Sequence, residues 1–199
     1  MRLNRLVRAS DATVNEGGGS ILFVCTGNVC RSPYLEWGLR GALESAGGPV
    51  IRVSSAGVSP LVGHPMSSYF LDRLMRRGID GSEFKARELS GRMLATADVV
   101  LTAAREHRRF LVRQQPSMGN RTFTVLQFAR LLRASRPESG SGGDLRTLVR
   151  RTQQARGTAG ASTAHDDIED PWGRSRRVHA RSAEKMDEVL EEILEHLIQ

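Results

Sequence analysis

The chain has 199 residues, 39% of them hydrophobic, which is enough for one globular domain with a sizeable core. It contains two cysteines and no apolar stretch near the ~20 residues of a membrane span, which argues against a disulfide framework and against membrane insertion. The formal net charge is +7, so nucleic acid binding has to be weighed.

Residues 1 to 20 end in Glu-Gly-Gly-Gly-Ser and lack a core pattern, so we expect a flexible extension before a domain at 21–199. The extension has no apolar region before a cleavage site, which predicts a cytoplasmic protein.

The apolar run from Ile21 to Val24 predicts a buried parallel strand that ends in Cys25. After a short loop, Ser32 and Pro33 are predicted as the N-cap and first residue of a helix. Ligands of open α/β sheets bind at the carboxyl ends of the strands, and a helix N-terminus directs free N–H groups to the same edge. We therefore expect an anion site beside Cys25.

The loop after Cys25 has residue types that can form an anion nest of backbone N–H groups. Gly27 and Asn28 tolerate the positive φ angles of such a nest. A cysteine at a helix N-terminus is favoured as the nucleophilic thiolate, and the planar guanidinium of Arg31 can bind two phosphate oxygens. The other residues expected to contact a bound phosphate are Thr26, Gly27, Asn28, Val29, Cys30 and Ser32.

The remaining elements alternate between strand and helix, which predicts an α/β fold with a mostly parallel sheet and helices on both faces. Strands are predicted at 50–54, 98–102 and 122–125, and helices at 33–46, 66–77, 105–114 and 126–134. Gly78 is expected to end the second helix, whose inward residues are Phe70, Leu71, Leu74 and Met75.

A flexible insert is expected at about 135–163, with an additional basic helix at 144–155 inside it. The last helix, at 175–197, carries an apolar stripe that we assign to the core. The stripe consists of Val178, Met186, Val189, Leu190, Ile193 and Leu197.

Residues 25–33, CTGNVCRSP, resemble the signature of the low-molecular-weight protein tyrosine phosphatases. Two further segments match in order: 54–57, SSAG, resembles the turn after the second strand of the family, and 165–173, HDDIEDPWG, resembles its acid loop. The resemblance implies a flavodoxin-like, doubly wound fold with a four-stranded sheet. It also implies hydrolysis of phosphotyrosine through a cysteinyl-phosphate intermediate, with no metal or cofactor.

By the same resemblance, Cys25 is the nucleophile, Arg31 binds the phosphate, and Asp170 is the general acid and base. Out of context, Asp170 before Pro171 would be read as an ordinary turn. The Asp-Pro-aromatic-Gly pattern is what selects Asp170 over its acidic neighbours, which are Asp166, Asp167 and Glu169.

The resemblance also implies supporting roles. Trp172 is expected to flank the pocket, Asn28 to hold the loop, Ser32 to donate to the thiolate, and Ser55 to contact Asn28. Ordinary packing, turn formation or capping would explain the same residue types. Cys30 either forms a disulfide with Cys25 or is a small buried hydrophobe.

The substrate remains the most open point. A branch of the family that acts on phosphoarginine carries Thr at the position of Val29. Because valine has no hydroxyl to bond a guanidinium, we expect phosphotyrosine to be the substrate of this chain. An arsenate reductase of the same fold is an alternative, although its thioredoxin-linked form needs cysteines after Cys30 and the chain has none. A phosphate-binding module without catalysis is another, but binding alone needs neither a nucleophile nor an acid.

The expected partners are phosphotyrosine-containing proteins, with a cognate bacterial tyrosine kinase as the opposing enzyme. The arginines are scattered along the chain without a nucleic acid-binding motif, so no nucleic acid partner is expected. A basic surface would steer an acidic phosphopeptide toward the site.

Overall fold

A computed structural model of the chain describes residues 18–135, 144–157 and 163–198. Four strands form one sheet in the order β2-β1-β3-β4, and every neighbouring pair is parallel. The strands are β1 (Ser20–Cys25), β2 (Arg52–Gly57), β3 (Val99–Thr102) and β4 (Thr122–Thr124). This strand order confirms the predicted flavodoxin-like, doubly wound α/β fold.

Helices connect the strands on both faces of the sheet. They are α1 (Arg31–Ser45), α2 (Ser68–Met75), α3 (Gly91–Thr96), α4 (Arg105–Gln114), α5 (Val125–Ala134), α6 (Leu145–Ala155) and α7 (Arg176–Ile198), with short 3-10 helices at Pro116–Arg121 and Ala164–Asp166. Within the described part of the chain, no helix combines the length and apolar character needed to span a bilayer.

Strand β1 is buried on both faces because its side chains alternate between two cores. Ile21 and Phe23 belong to the larger core, which α1, α5 and α7 also line, and Leu22 and Val24 belong to the smaller one beside α3 and α4. The carboxyl end of β1, which carries Cys25, is therefore held between two packed layers.

The start of α1 differs from the prediction. The helix begins at Arg31 with Cys30 at the N-cap position, so Ser32 is not the cap. The Ser32 hydroxyl is engaged with Cys25 and Asn28 instead, and it is not available to cap the helix. Of the two residues expected to have positive φ, only Asn28 does, at 53°.

The second strand also differs from the prediction. Val50 lies before it and is 87% exposed, whereas the SSAG segment, predicted as a turn, forms its last four residues. Small side chains let this part of β2 approach the loop between β1 and α1 closely. A Cβ on Gly57 would lie 2.4 Å from the backbone oxygen of Thr26, a distance that no ordinary contact allows.

The prediction of α4 at 105–114 is confirmed, and Gly78, with a φ of 75°, follows the shorter α2 as expected. Met75 was predicted to face inward, which is wrong, since it is 55% exposed at the end of α2. The six-residue α3 was not predicted, because it contributes only Leu94 to the buried core.

Ser20, which the prediction placed in the extension, is the first residue of β1, and residues 1–17 lie outside the described residues. The predicted basic helix inside the insert is confirmed as α6, where Asp144 caps the helix through the Thr147 amide at 2.9 Å. Residues 136–143 and 158–162 of that insert lie outside the described residues. The predicted stripe of α7 is buried except for Val178, which is half-buried.

Candidate active site

The loop between β1 and α1 is held from outside by the segment that follows β2. The backbone oxygens of Cys25, Thr26, Gly27 and Val29 accept hydrogen bonds of 2.7 to 3.1 Å from the amides of Val58, Ser59, Leu61 and Ser67 respectively. Within the described residues, the backbone N–H groups of 26–30 have no acceptor. These donors are therefore available to an anion, as expected of a nest.

Cys25 and Ser32 are in contact, with 2.9 Å between Sγ and Oγ. The Asn28 side-chain amide donates to the Ser32 hydroxyl at 2.8 Å, so the hydroxyl proton has to point elsewhere. Its other possible acceptor, the Ala56 carbonyl, is 3.5 Å away. The geometry therefore favours Ser32 donating to Cys25, which stabilises the thiolate.

The same chain of hydrogen bonds continues to a buried carboxylate. Asn28 donates its second amide proton to the Ser55 hydroxyl at 2.8 Å, and Ser55 donates to Glu36 at 2.7 Å. Arg87 closes the network, with its guanidinium 2.8 and 2.9 Å from the two Glu36 oxygens and its backbone amide 2.9 Å from Asn28 Oδ1. The network thus connects the Glu36 carboxylate to Ser32, the residue that contacts Cys25.

The predicted contacts of Asn28, Ser32 and Ser55 are present in this network. Glu36 and Arg87 were missed, since neither belongs to a recognised motif. Glu36 is an acidic residue on a buried helix face, which is unusual. Its position among apolar residues was the one sequence feature that could have pointed to this network.

Arg31 is only 3% exposed and is held from the acid loop. Its guanidinium donates to the Ile168 carbonyl at 3.2 Å and pairs with Asp170 Oδ2 at 2.6 Å. Its Nε is buried and has no hydrogen-bond partner among the residues that the structure describes. A buried arginine donor without an acceptor is costly, so this N–H is a group that an anion in the loop could satisfy.

Asp170 is the acidic residue of its loop that reaches Arg31. Its other oxygen accepts from the Trp172 amide at 3.1 Å, which is the expected turn geometry before proline. The neighbouring carboxylates all pair elsewhere: Asp166 with Arg130, Asp167 with Arg105, and Glu169 with Arg181. The geometry thus separates Asp170 from the three neighbours that the sequence left close to it.

The acid loop is anchored to the sheet and to α7. The Ile168 amide donates to the Ala103 carbonyl at 2.9 Å, directly after β3, and the Ser182 hydroxyl donates to the Glu169 carbonyl at 2.8 Å. These contacts place Asp170 at the carboxyl edge of the sheet beside the loop that starts at Cys25.

His107 of α4 is a further residue that the sequence did not indicate. Its Nε2 lies 2.9 Å from the Thr26 hydroxyl, and the ring is only 2% exposed. Burial, together with the charge of Arg31, lowers the pKa of His107 to about 4. A neutral imidazole therefore supports the first residue of the loop after Cys25.

This histidine predicts a pH dependence of folding. An ordinary histidine of the unfolded chain has a pKa near ~6.5, so between pH 6.5 and 4 the unfolded chain binds a proton that the folded one does not, and stability falls as the pH drops. Lowering the pH from 7 to 4 should reduce the unfolding free energy of both proteins, and the reduction should be about 2–3 kcal/mol smaller for His107→Asn than for the native chain.

Urea unfolding at the two pH values measures this difference, and the matched control is His165→Asn, at an exposed position. Equal losses in the native chain and in both variants would show that His107 does not carry the effect.

Val29, Cys30 and Trp172 are three further residues of the predicted site. Val29 and Cys30 are buried in the larger core, and burial followed by the charge of Cys25 raises the pKa of Cys30 to about 12. Both cysteines are free. Trp172 is 57% exposed, and its predicted place beside a substrate ring stays a prediction.

Comparison with known proteins gives a consistent family. A family model described as low molecular weight phosphotyrosine protein phosphatase matches residues 20–138. The probable low molecular weight protein-tyrosine-phosphatase EpsP of Ralstonia solanacearum is 36% identical over 106 residues, which are 53% of this chain and 70% of that protein. The protein-arginine-phosphatase of Geobacillus stearothermophilus is 27% identical over 177 residues, covering 89% of this chain and 95% of that protein.

A solved structure agrees with these matches. The low molecular weight protein tyrosine phosphatase from T. tengcongensis has a TM-score of 0.67 and 30% identity, covering 89% of this chain and 98% of that one.

Proposed function

Because the chain belongs to the low molecular weight phosphotyrosine protein phosphatase family, and is thus a phosphatase, we propose that it hydrolyses phosphotyrosine in proteins through a cysteinyl-phosphate intermediate. The arrangement of Cys25, Arg31 and Asp170 carries the proposal. Cys25 begins a loop whose backbone N–H groups are available to an anion, and it is in hydrogen-bond contact with Ser32. Arg31 in the same loop region is buried with its Nε unpaired among the described residues, and its guanidinium contacts Asp170.

In the first step, the substrate phosphate binds to the loop N–H groups and to Arg31. The Cys25 thiolate attacks phosphorus, so the S–P bond forms as the bond to the phenol oxygen breaks. Asp170, in its acid form, gives its proton to that leaving oxygen. The guanidinium of Arg31 stabilises the charge on the equatorial oxygens in the transition state.

In the second step, Asp170 acts as the base. It takes a proton from a water molecule, whose oxygen attacks phosphorus while the S–P bond breaks. Inorganic phosphate leaves, and the thiolate returns to the hydrogen bond from Ser32.

The ion pair of Arg31 and Asp170 gives the acid a resting position. Asp170 is 47% exposed while Arg31 is buried, so the carboxyl can move toward solvent more readily than its partner. A bound phosphate competes for the Arg31 donors, which releases Asp170 toward the leaving group.

Phosphoarginine is the second candidate substrate, because the arginine phosphatase relative matches 89% of the chain whereas EpsP matches 53%. Val29 favours phosphotyrosine: its side chain is buried with apolar neighbours and offers no hydrogen bond to a guanidinium.

Two peptides of one sequence, carrying phosphotyrosine or phosphoarginine, test this choice. We expect the native chain to give a kcat/KM at least ~10-fold higher for phosphotyrosine, and Val29→Thr, which adds a hydroxyl, to reduce that ratio. A native preference for phosphoarginine would assign the chain to the second substrate.

A further inference from the structure

We propose that Arg174, Arg176 and Arg177 form a docking surface for acidic residues that flank the phosphorylated residue of the substrate. We refer to these three residues as the arginine rim. The inference rests on the proposed function and goes beyond it, since it specifies which phosphopeptides the site prefers.

The arginine rim carries positive charge that the protein itself does not neutralise. All three residues are exposed, and in the described part of the chain none of their guanidinium groups pairs with a carboxylate. The Arg176 guanidinium lies over the ring of Tyr69 at 5.9 Å, a contact that leaves its N–H donors free for a ligand.

The two carboxylates of the acid loop next to the arginine rim are already engaged. Asp170 pairs with Arg31, and Glu169 pairs with Arg181. The next carboxylate along α7, Glu184, lies seven residues after Arg177, beyond the i, i+4 spacing at which helix side chains meet. No acidic side chain of these elements therefore competes with an acidic ligand.

The arginine rim lies close to the reacting groups. Arg174 follows Asp170 by four residues, which span at most about 14 Å, and a hydrogen bond of 3.0 Å from its amide to the Pro171 carbonyl shortens this path. On the other side, Arg176 lies over Tyr69, two residues after Ser67, whose amide donates to the Val29 carbonyl in the phosphate loop.

A peptide bound by its phosphate thus passes the arginine rim within a few residues of the phosphorylated position. Each extended residue covers about 3.3 Å, so carboxylates two to four positions away reach the guanidinium groups. Exposed charges attract over about 8 Å at physiological ionic strength. The chemistry that fits is an acidic peptide segment, because carboxylates pair with guanidinium groups through two hydrogen bonds.

The test compares two phosphotyrosine peptides, one with Asp and Glu around the phosphotyrosine and one with Asn and Gln in their place. The rim variant is the triple substitution Arg174→Gln, Arg176→Gln and Arg177→Gln. The matched control removes the same charge from exposed positions of α4 and the end of α2, by Arg76→Gln, Arg109→Gln and Arg113→Gln.

At low ionic strength we expect the native chain to prefer the acidic peptide by roughly 10-fold in kcat/KM, mainly through KM. The rim variant should lose most of this preference and the control variant should keep it, while added salt should reduce it in the native chain. Equal rates for the two peptides on the native chain, or an equal loss in both variants, would overturn the proposal.

A small aryl phosphate, assayed beside the peptides, separates this inference from the proposed function. If the native chain does not hydrolyse this compound, the proposed function fails. The docking surface is then tested by binding titrations, which compare the affinities of the two peptides for the native chain and for the rim variant. If single-stranded RNA binds the native chain but not the rim variant, and the peptides do not differ, the surface recognises nucleic acid and the proposal is wrong.

Discussion

Replacing Cys25 by serine should lower kcat/KM for an aryl phosphate by at least ~10⁴-fold, because the attacking thiolate is the group on which the covalent route depends. A serine hydroxyl is not ionised at neutral pH, and Ser32, whose proton points toward residue 25, offers it no base. Steady-state release of the phenol from phenyl phosphate measures the loss.

The variant has to be shown to fold and to keep its anion site. Circular dichroism and the stabilisation of the Cys25→Ser protein by inorganic phosphate provide that control, since the loop N–H groups and Arg31 are unchanged. A Cys25→Ser protein that keeps more than about 1% of the native rate would contradict the assignment of the nucleophile.

The second large effect is expected at Asp170. For phenyl phosphate, whose leaving oxygen needs a proton, Asp170→Ala should reduce kcat by about 10²–10³-fold. For a dinitrophenyl phosphate, which leaves without a proton, the reduction of the first step should be much smaller. The dependence of the rate on the leaving group is the measurement that identifies an acid.

Glu169→Ala is the matched control for this variant, because it removes the adjacent carboxylate, which pairs with Arg181 and not with Arg31. A loss of the same size in the first step for both leaving groups in Asp170→Ala would assign the residue to positioning Arg31 instead. A loss of the same size in Glu169→Ala would show that the loop as a whole has been disturbed.

The part of the site that local sequence rules predicted, without the family resemblance, is the part built from contiguous residues. The apolar run from Ile21 to Val24, the loop and the start of α1 are adjacent in the chain, so their geometry follows from local rules for strands, positive φ and helix N-termini. Helix α4 was also predicted to its ends. In the structure, the residues on either side of it, Ala104 and Gln115, have non-helical backbone angles.

The local rules also gave wrong details where a tertiary contact outweighed them. Ser32 has the residue type of an N-cap, but its hydroxyl gains two partners in the buried network by turning toward Cys25. The SSAG segment was assigned to a turn from its resemblance to the family pattern, but the pairing of Cys25 with Gly57 at the end of the parallel ladder keeps it extended.

The remainder of the site depends on contacts that no local pattern encodes. Arg87 meets Glu36 across 51 positions of the chain, and His107 meets Thr26 across 81. Each of these residues, taken alone, is of a type that is common in ordinary helices and loops. Only the packing of α1 and α4 against the sheet brings them to the loop that Cys25 begins.

The central claim is that phosphate passes through a bond to Cys25, and denaturing the native protein with acid during turnover tests it most directly. Mass spectrometry of its peptides is predicted to find one added phosphoryl group on the peptide that contains Cys25. With a dinitrophenyl phosphate as substrate, the phosphorylated fraction should be larger in Asp170→Ala, because that variant lacks the base of the second step. Rapid turnover with an unmodified Cys25 peptide in both proteins, while substrate is still being consumed, would contradict the covalent mechanism.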